Sequence, residues 1–357
     1  MNLPGTILLT IDMALVIEKL VLIAVVVMSS LVIAMYTTFA ERKLAAVMQD
    51  RRGPNRAGPF GLLQPMADGL KLFFKEEIIP NFSSGFLFIL GPCLAMLTAM
   101  MTGAVIPWGD KVQLFGREIS LQIADVNIGI LYVFGVVSMG VYGIMIGSWA
   151  SNNKYSLMGG LRAASQIISY ELAMGISLIA LLMVTGTLSL KSMVGQQLDG
   201  YWNVFKQPLG FLIFLVCVFA ECNRTPFDLP EAENELIGGY HTEYSSMKLG
   251  FYLFSEYINM FISSAVMVSL FFGGYDIPLL NDAEFAQRHG DNLMALLHAG
   301  MLLVKIVFFL FLFIWVRWTI PRFRYDQLMN LGWKMMIPLA LANMLITGAC
   351  ILAFSGK

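Results

Sequence analysis

Long apolar stretches dominate this chain, and its polar residues fall mostly between them. Runs long enough to cross about 30 Å of hydrocarbon predict eight spans, at 20–39, 86–106, 127–149, 164–188, 209–220, 249–272, 293–316 and 335–354. The fifth holds only about twelve apolar residues, too few to span upright as a regular helix. It is expected to be tilted, broken or sheltered within the bundle, as discontinuous helices are at transporter ion sites. The alternative is a helix that simply continues into the polar loop after it.

The expected fold class is an all-α integral membrane protein of about eight transmembrane helices, one polytopic unit over residues 1–357. A composition of 57% hydrophobic and 13% charged residues, with mean hydropathy +0.71, excludes an ordinary soluble domain. The first twenty residues lack a basic n-region and carry Asp12 and Glu18, so no cleaved signal is read there. Cys93, Cys217, Cys222 and Cys350 form no C-x-x-C pair, and His241, His289 and His298 are too scattered for a metal site.

Net charge is near zero, and the useful signal is how charge divides between the two sides. Fifteen Lys and Arg fall in 41–80, 150–162, 223–248 and 317–334. Seven fall on the other side, and Lys305 lies inside the seventh span. By the positive-inside rule both termini face outward (periplasmic), and the loops at 41–80, 221–248 and 317–334 face inward.

The first inner loop holds an amphipathic helix within 61–79. Leu62, Leu63, Met66, Leu70, Phe73 and Phe74 share one face, and Gln64, Asp68, Lys71 and Lys75 the other. Such a helix lies in the interface plane, where an amphiphilic substrate enters from the bilayer, or docks on the bundle or a partner. Before it, Arg51-Arg52-Gly53-Pro54-Asn55-Arg56 is a turn-rich basic loop that also serves as a positive-inside anchor.

Between Ala220 and Tyr257 stand six glutamates: Glu221, Glu231, Glu233, Glu235, Glu243 and Glu256. A carboxylate in or beside a membrane costs roughly 2.5 to 3.5 kcal/mol at a helix centre, so a cluster needs a use, and carrying protons is the natural one. Glu171 lies in the fourth span. Burial raises carboxyl pKa values, and neighbouring cations lower them again. If the 231–235 segment is helical, Glu231 and Glu235 stand one turn apart and titrate as a coupled pair. The alternative is that each acid pairs with Arg162, Arg224, Lys248 or Lys305 and stabilises the bundle.

Gly135, Gly140, Gly143 and Gly147 in the third span are expected to let helices approach closely. Pro92 and Pro338 are expected to kink their helices. The methionines are filler in a lipid-facing core. No P-loop, dinucleotide fingerprint or catalytic triad is present, so any redox cofactor belongs to other subunits.

Several strings resemble one family. These are Ala40-Glu41-Arg42-Lys43, Arg51-Arg52-Gly53-Pro54-Asn55, the run from Gly61-Leu62-Leu63-Gln64-Pro65 to Leu72-Phe73, Glu221-Cys222-Asn223-Arg224-Thr225-Pro226-Phe227-Asp228-Leu229, His241-Thr242-Glu243-Tyr244 and Pro321-Arg322-Phe323-Arg324-Tyr325-Asp326-Gln327-Leu328. They look like the H subunit of respiratory complex I, NADH:quinone oxidoreductase, called subunit 1 in mitochondria. The likeness covers nearly all spans and every inner loop, whereas 109–126, 191–208 and 274–292 match no family pattern. Cys222 and Asn234 stand where many relatives have Thr and Ser.

The resemblance implies a subunit of a proton-pumping translocase that forms much of a quinone chamber and carries no redox centre. It implies flavin and iron-sulfur clusters on partner subunits, quinone as substrate, and contacts with the hydrophilic arm, antiporter-like membrane subunits and lipid, with no nucleic acid. The expected location is a bacterial inner membrane rather than the mitochondrial one. Arg42, Arg51, Arg52, Asp68, Phe73 and Phe74 match the chamber and its entrance. Glu171, Glu221, Asp228, Glu231, Glu233, Glu235, Glu243 and Glu256 match the acidic path toward the pumping subunits. On residues alone, an ion-coupled secondary transporter or the membrane anchor of a related hydrogenase stays open, although the internal repeats expected of a transporter are not found.

Overall fold

The structure, a computed structural model, describes residues 13–114, 117–198, 200–278, 285, 288 and 290–355. Among them seven helices are long and apolar enough to cross a membrane, and one shorter apolar helix accompanies them. In chain order the elements are α1 (Met13–Met48), α2 (Gln64–Phe74), α3 (Gly85–Thr102), a hairpin of β1 (Lys111–Leu114) and β2 (Arg117–Ser120), α4 (Gly129–Ala150), α5 (Lys154–Thr185), α6 (Leu190–Leu198), α7 (Asn203–Lys206), α8 (Pro208–Glu221), α9 (Glu233–Leu236), α10 (Ser246–Phe271), α11 (Asp291–Thr319), α12 (Tyr325–Asn330) and α13 (Ile337–Ser355). A π-helical turn, Leu331–Met336, joins α12 to α13, so Pro338 follows an already irregular segment.

The helices overrun the apolar runs that announce them, because backbone hydrogen bonding continues where lipid contact ends. α1 extends past Phe39 to Met48 and carries both Glu41, which is buried, and Arg42, which is exposed. The weak fifth span is α8, whose 14 residues rise about 21 Å. It is sheltered rather than lipid-spanning in the ordinary way. α8 packs on α5, and Gln207 at its start bonds Thr347 (2.8 Å) and Asn343 (3.1 Å) of α13.

α10 is the most enclosed helix, buried almost continuously from Ile258 to Phe271. It packs against α1, α3 and α11. α3 and α4 approach closely because Gly143 and Gly147 lack side chains. A Cβ on Gly143 would sit 2.8 Å from the Ala95 nitrogen, and one on Gly147 would sit 1.9 Å from the Tyr252 hydroxyl. Gly135 meets nothing within 4 Å, so close approach does not explain it.

Cross-links sort the loops to two ends. At one end Ser84 bonds Ala150, Phe323 bonds Pro226 and Arg322 bonds Asp228. At the other, Lys19 bonds the Gln122 carbonyl, Ile130 bonds Leu188, and Gln113 bonds Asn292. The amphipathic segment lies at the first end as α2, and its tail is clasped to the start of α10. There Ser246 Oγ donates to the Leu72 carbonyl (3.1 Å), Ile78 N–H donates to Ser245 Oγ (3.0 Å), and Lys248 pairs with Glu77. Asp12, His289 and Lys357 lie outside the described residues.

Candidate functional site

The last turns of α1 place Glu41 inside the bundle, where a lone carboxylate would be costly. Arg317 on α11 contacts it at 2.5 Å, the Tyr257 hydroxyl donates to it at 2.8 Å, and Arg224 stands 3.7 Å away. Arg224 lies over the Tyr257 ring at 4.1 Å and reaches Glu256 on α10 at 3.7 Å. The result is an alternating series, Arg317, Glu41, Arg224, Glu256, that ties together four segments far apart in sequence. Burial disfavours the Arg224 charge, but Tyr257, Glu256 and Glu41 outweigh it and hold the guanidinium firmly protonated.

The loop after α8 adds two more acids to this series. Burial raises Asp228 from 3.8 to about 6, against the pull of Arg322 at 2.8 Å. Burial also raises Glu231, and Asp228 adds to the effect, while Glu256 and Arg224 oppose it. Glu231 lies 3.5 Å from His241.

A cavity of about 390 Å³ opens between α1, α2 and α10. Its wall includes Glu41, Arg42, Arg51, Asp68, Leu72, Arg224, Glu231, Phe254, Glu256 and Tyr257. Within this wall Arg42 donates to Asp68 at 2.6 Å. Phe73 and Phe74 are 66% and 80% exposed and lie outside this wall. Arg52 is exposed and also outside the wall.

Three smaller cavities adjoin. One of about 250 Å³ is lined by Asp228, Glu231, Arg317 and Arg322. One of about 30 Å³ lies between Glu256 and Glu221. Another of about 30 Å³ continues from Glu221 among Val133, Phe214 and Val266. Shared lining residues string them together in the order Glu231, Glu256, Glu221.

The remaining acids sit around this string. Glu171 accepts a hydrogen bond from Ser138 and lies near Glu221. Glu243 accepts from Asn153, the N-cap of α5, at 2.5 Å. Glu235 is exposed and pairs with Arg162 at 2.5 Å. The side chain of Glu233 lies outside the described residues.

The expected one-turn pairing of Glu231 with Glu235 does not occur. α9 begins only at Glu233, so Glu231 stays in the loop and turns inward to Asp228 and Glu256 while Glu235 turns outward. Lys248 and Lys305 do not neutralise the acid set. Lys248 takes Glu77, and the Lys305 ammonium donates to the carbonyls of Phe272 (2.7 Å), Gly274 (3.0 Å) and Asp276 (2.7 Å). Glu41, Tyr240 and Tyr257 are not among the site residues that the sequence predicts. For Glu41 the signal available is a charge ending an apolar run; its partners are far away in the chain.

The family model described as NADH dehydrogenase matches residues 20–348. The chain is 66% identical over 337 residues to an NADH-quinone oxidoreductase H subunit of Cytophaga hutchinsonii, covering 94% of this chain and 97% of that protein. It is 64% identical over 341 residues to the corresponding H subunit of Flavobacterium johnsoniae, covering 96% and 97%. The chain belongs to the family of NADH-quinone oxidoreductase H subunits. A more distant member, "NADH-quinone oxidoreductase subunit 8" of Rhodothermus marinus, is 47% identical over 341 residues. The cavity and the acid series both lie within the residues the family model spans.

Proposed function

We propose that this chain is the membrane subunit of a proton-pumping NADH-quinone oxidoreductase that admits quinone from the bilayer and couples its reduction to an acidic proton path. α2 lies at the mouth, with Phe73 and Phe74 in the acyl region and Arg42, Arg51 and Asp68 inside. Arg52 faces the hydrophilic arm, whose flavin and iron-sulfur clusters supply electrons. The acidic end faces the cytoplasm of a bacterial cell, and the path runs through Asp228, Glu231, Glu256, Glu221 and Glu171 toward the antiporter-like subunits, with Glu233, Glu235 and Glu243 at its rim.

One observation carries the reading: Glu231, Glu256 and Arg224 stand in the same cavity wall as Arg42 and Asp68. Quinone reduction takes up two electrons and two protons per quinol, so it changes charge and proton demand where those acids lie. Carboxyls with raised proton affinity, held beside fixed guanidinium groups, respond to such a change by shifting protonation.

The test is Glu231→Gln with Glu256→Gln in the assembled complex, measuring quinone reduction and proton translocation together. Loss of coupled turnover in an intact complex supports the path. Unchanged turnover and proton yield would reduce the chain to an anchor.

A further inference from the structure

Tyr240 stands in the loop between α9 and α10, and its phenol is buried. Its hydroxyl donates to Glu256 Oε1 at 2.9 Å. The other carboxyl oxygen, Oε2, faces Arg224 at 3.7 Å. Glu256 therefore has two distinct sides: it lines the large chamber with Arg224, and the small cavity toward Glu221 with Tyr240. That small cavity, about 30 Å³, is also lined by Asn223, Ser255 and Asn259, and it has room for one or two water molecules with polar partners.

The fold fixes this one hydroxyl from several directions. Ser156 Oγ donates to the Tyr240 carbonyl at 2.7 Å. α5 passes so close that a Cβ on Gly159 would lie 2.6 Å from the Tyr240 nitrogen. Gly239, at φ +64°, leaves no space for a side chain, since its Cβ would meet the Pro230 carbonyl at 1.7 Å. The Tyr252 ring meets the Tyr240 ring edge-on at 5.1 Å. A phenylalanine would fill the same volume without a polar atom to desolvate, so packing alone does not account for the hydroxyl.

We propose that the Tyr240 phenol relays the proton between Glu256 and the Glu221 cavity. With the phenol O–H turned toward the cavity, the Glu256 carboxyl O–H bond breaks as its proton bonds Tyr240 Oη, and the phenolic O–H bond breaks as that proton passes through cavity water to the Glu221 carboxylate, which leaves Glu256 ionised and the new phenol O–H donating to Oε1 as in the structure. One proton is displaced, the phenol is regenerated, and no electron moves. The inference rests on the reading of the acids as a proton path and adds the element that connects two of them. Arg224, Glu231, Asp228 and Tyr257 also surround this site, so a pH profile reports the whole set, and the test relies on differences between variants.

The experiment uses the assembled, membrane-embedded complex. Tyr240→Phe is expected to cut coupled quinone reduction about tenfold, the scale of one hydrogen bond to a charged acceptor. It is also expected to alter the solvent deuterium isotope effect and shift the Glu256 carboxyl band in the infrared difference spectrum. Tyr244→Phe is the control, because that buried hydroxyl bonds the carbonyls of Phe88 and Gly147. It is expected to leave all three readouts in place. If Tyr240→Phe fails to assemble, 3,5-difluorotyrosine at position 240 keeps the ring and the bond with a more acidic phenol, and the pH profile of turnover should move downward. Wild-type rate and isotope effect in the Phe variant, or an unmoved profile in the fluorinated one, overturns the relay. Glu256→Gln in parallel separates the two claims. If it leaves coupling intact, the acidic path itself falls. If it uncouples while Tyr240→Phe does not, only the relay falls.

Discussion

Arg224 and Glu256 face each other at 3.7 Å with both side chains less than 10% exposed. Glu41 waits at the same distance on the other side of the guanidinium. Arg224→Met strips the shared cation from two buried carboxylates and should cost about 3–5 kcal/mol. The expected result is failure of the complex to assemble, or a sharp drop in its thermal midpoint. Arg224→Lys keeps the charge but loses the flat stack on Tyr257, so it should fall between wild type and Met. Equal stability of the Met variant and wild type would show that the pair is not confined.

Asp228 offers a pH test. It holds its proton more tightly folded than unfolded, so stability falls as pH rises from about 4 through about 6 and is level above. Asp228→Asn lacks that slope, and the thermal midpoint of the Asn variant minus that of wild type should grow over this window. Arg322→Met removes the main group that pulls Asp228 down, so the carboxyl should titrate above 6 in infrared difference spectra. A flat difference, or a midpoint that does not rise, contradicts the assignment.

Gly147→Ala drives a methyl into the Tyr252 hydroxyl, with a cost of about 1–3 kcal/mol or more for overpacking. Tyr252→Phe removes the oxygen that the methyl would strike. The double variant should therefore be more stable than the sum of the singles, as a double-mutant cycle on complex stability reads out. Strict additivity would place the strain elsewhere.

Lys305→Ala leaves three carbonyls at the end of α10 without their ammonium, a loss on the order of 3 kcal/mol. Its ammonium also lies over the Trp202 ring at 4.6 Å. Ethylammonium added to the Ala variant should restore part of the lost thermal stability, and neutral ethanol should not. No difference between the two would argue against a cation-specific cap.

The spans and the amphipathic α2 are legible because lipid and interface impose their periods on the sequence directly. Residues 61–79 announce α2, and it forms at Gln64–Phe74. The site is only half legible. Glu231 and Glu235 are four residues apart, yet the helix that would pair them starts two residues too late, so they take different partners. Glu41 finds Arg224, Arg317 and Tyr257, all brought to it by helices that cross the bundle. Tyr240 is silent because nothing local distinguishes a packing ring from a placed hydroxyl.

The tail of α2 shares three polar links with the opening turn of α10, through Leu72, Glu77 and Ile78. Those links tie the two helices into one piece at this end. A displacement of the α2 tail would therefore be felt at Ser246, within three helical turns of the carboxyl that Tyr240 holds.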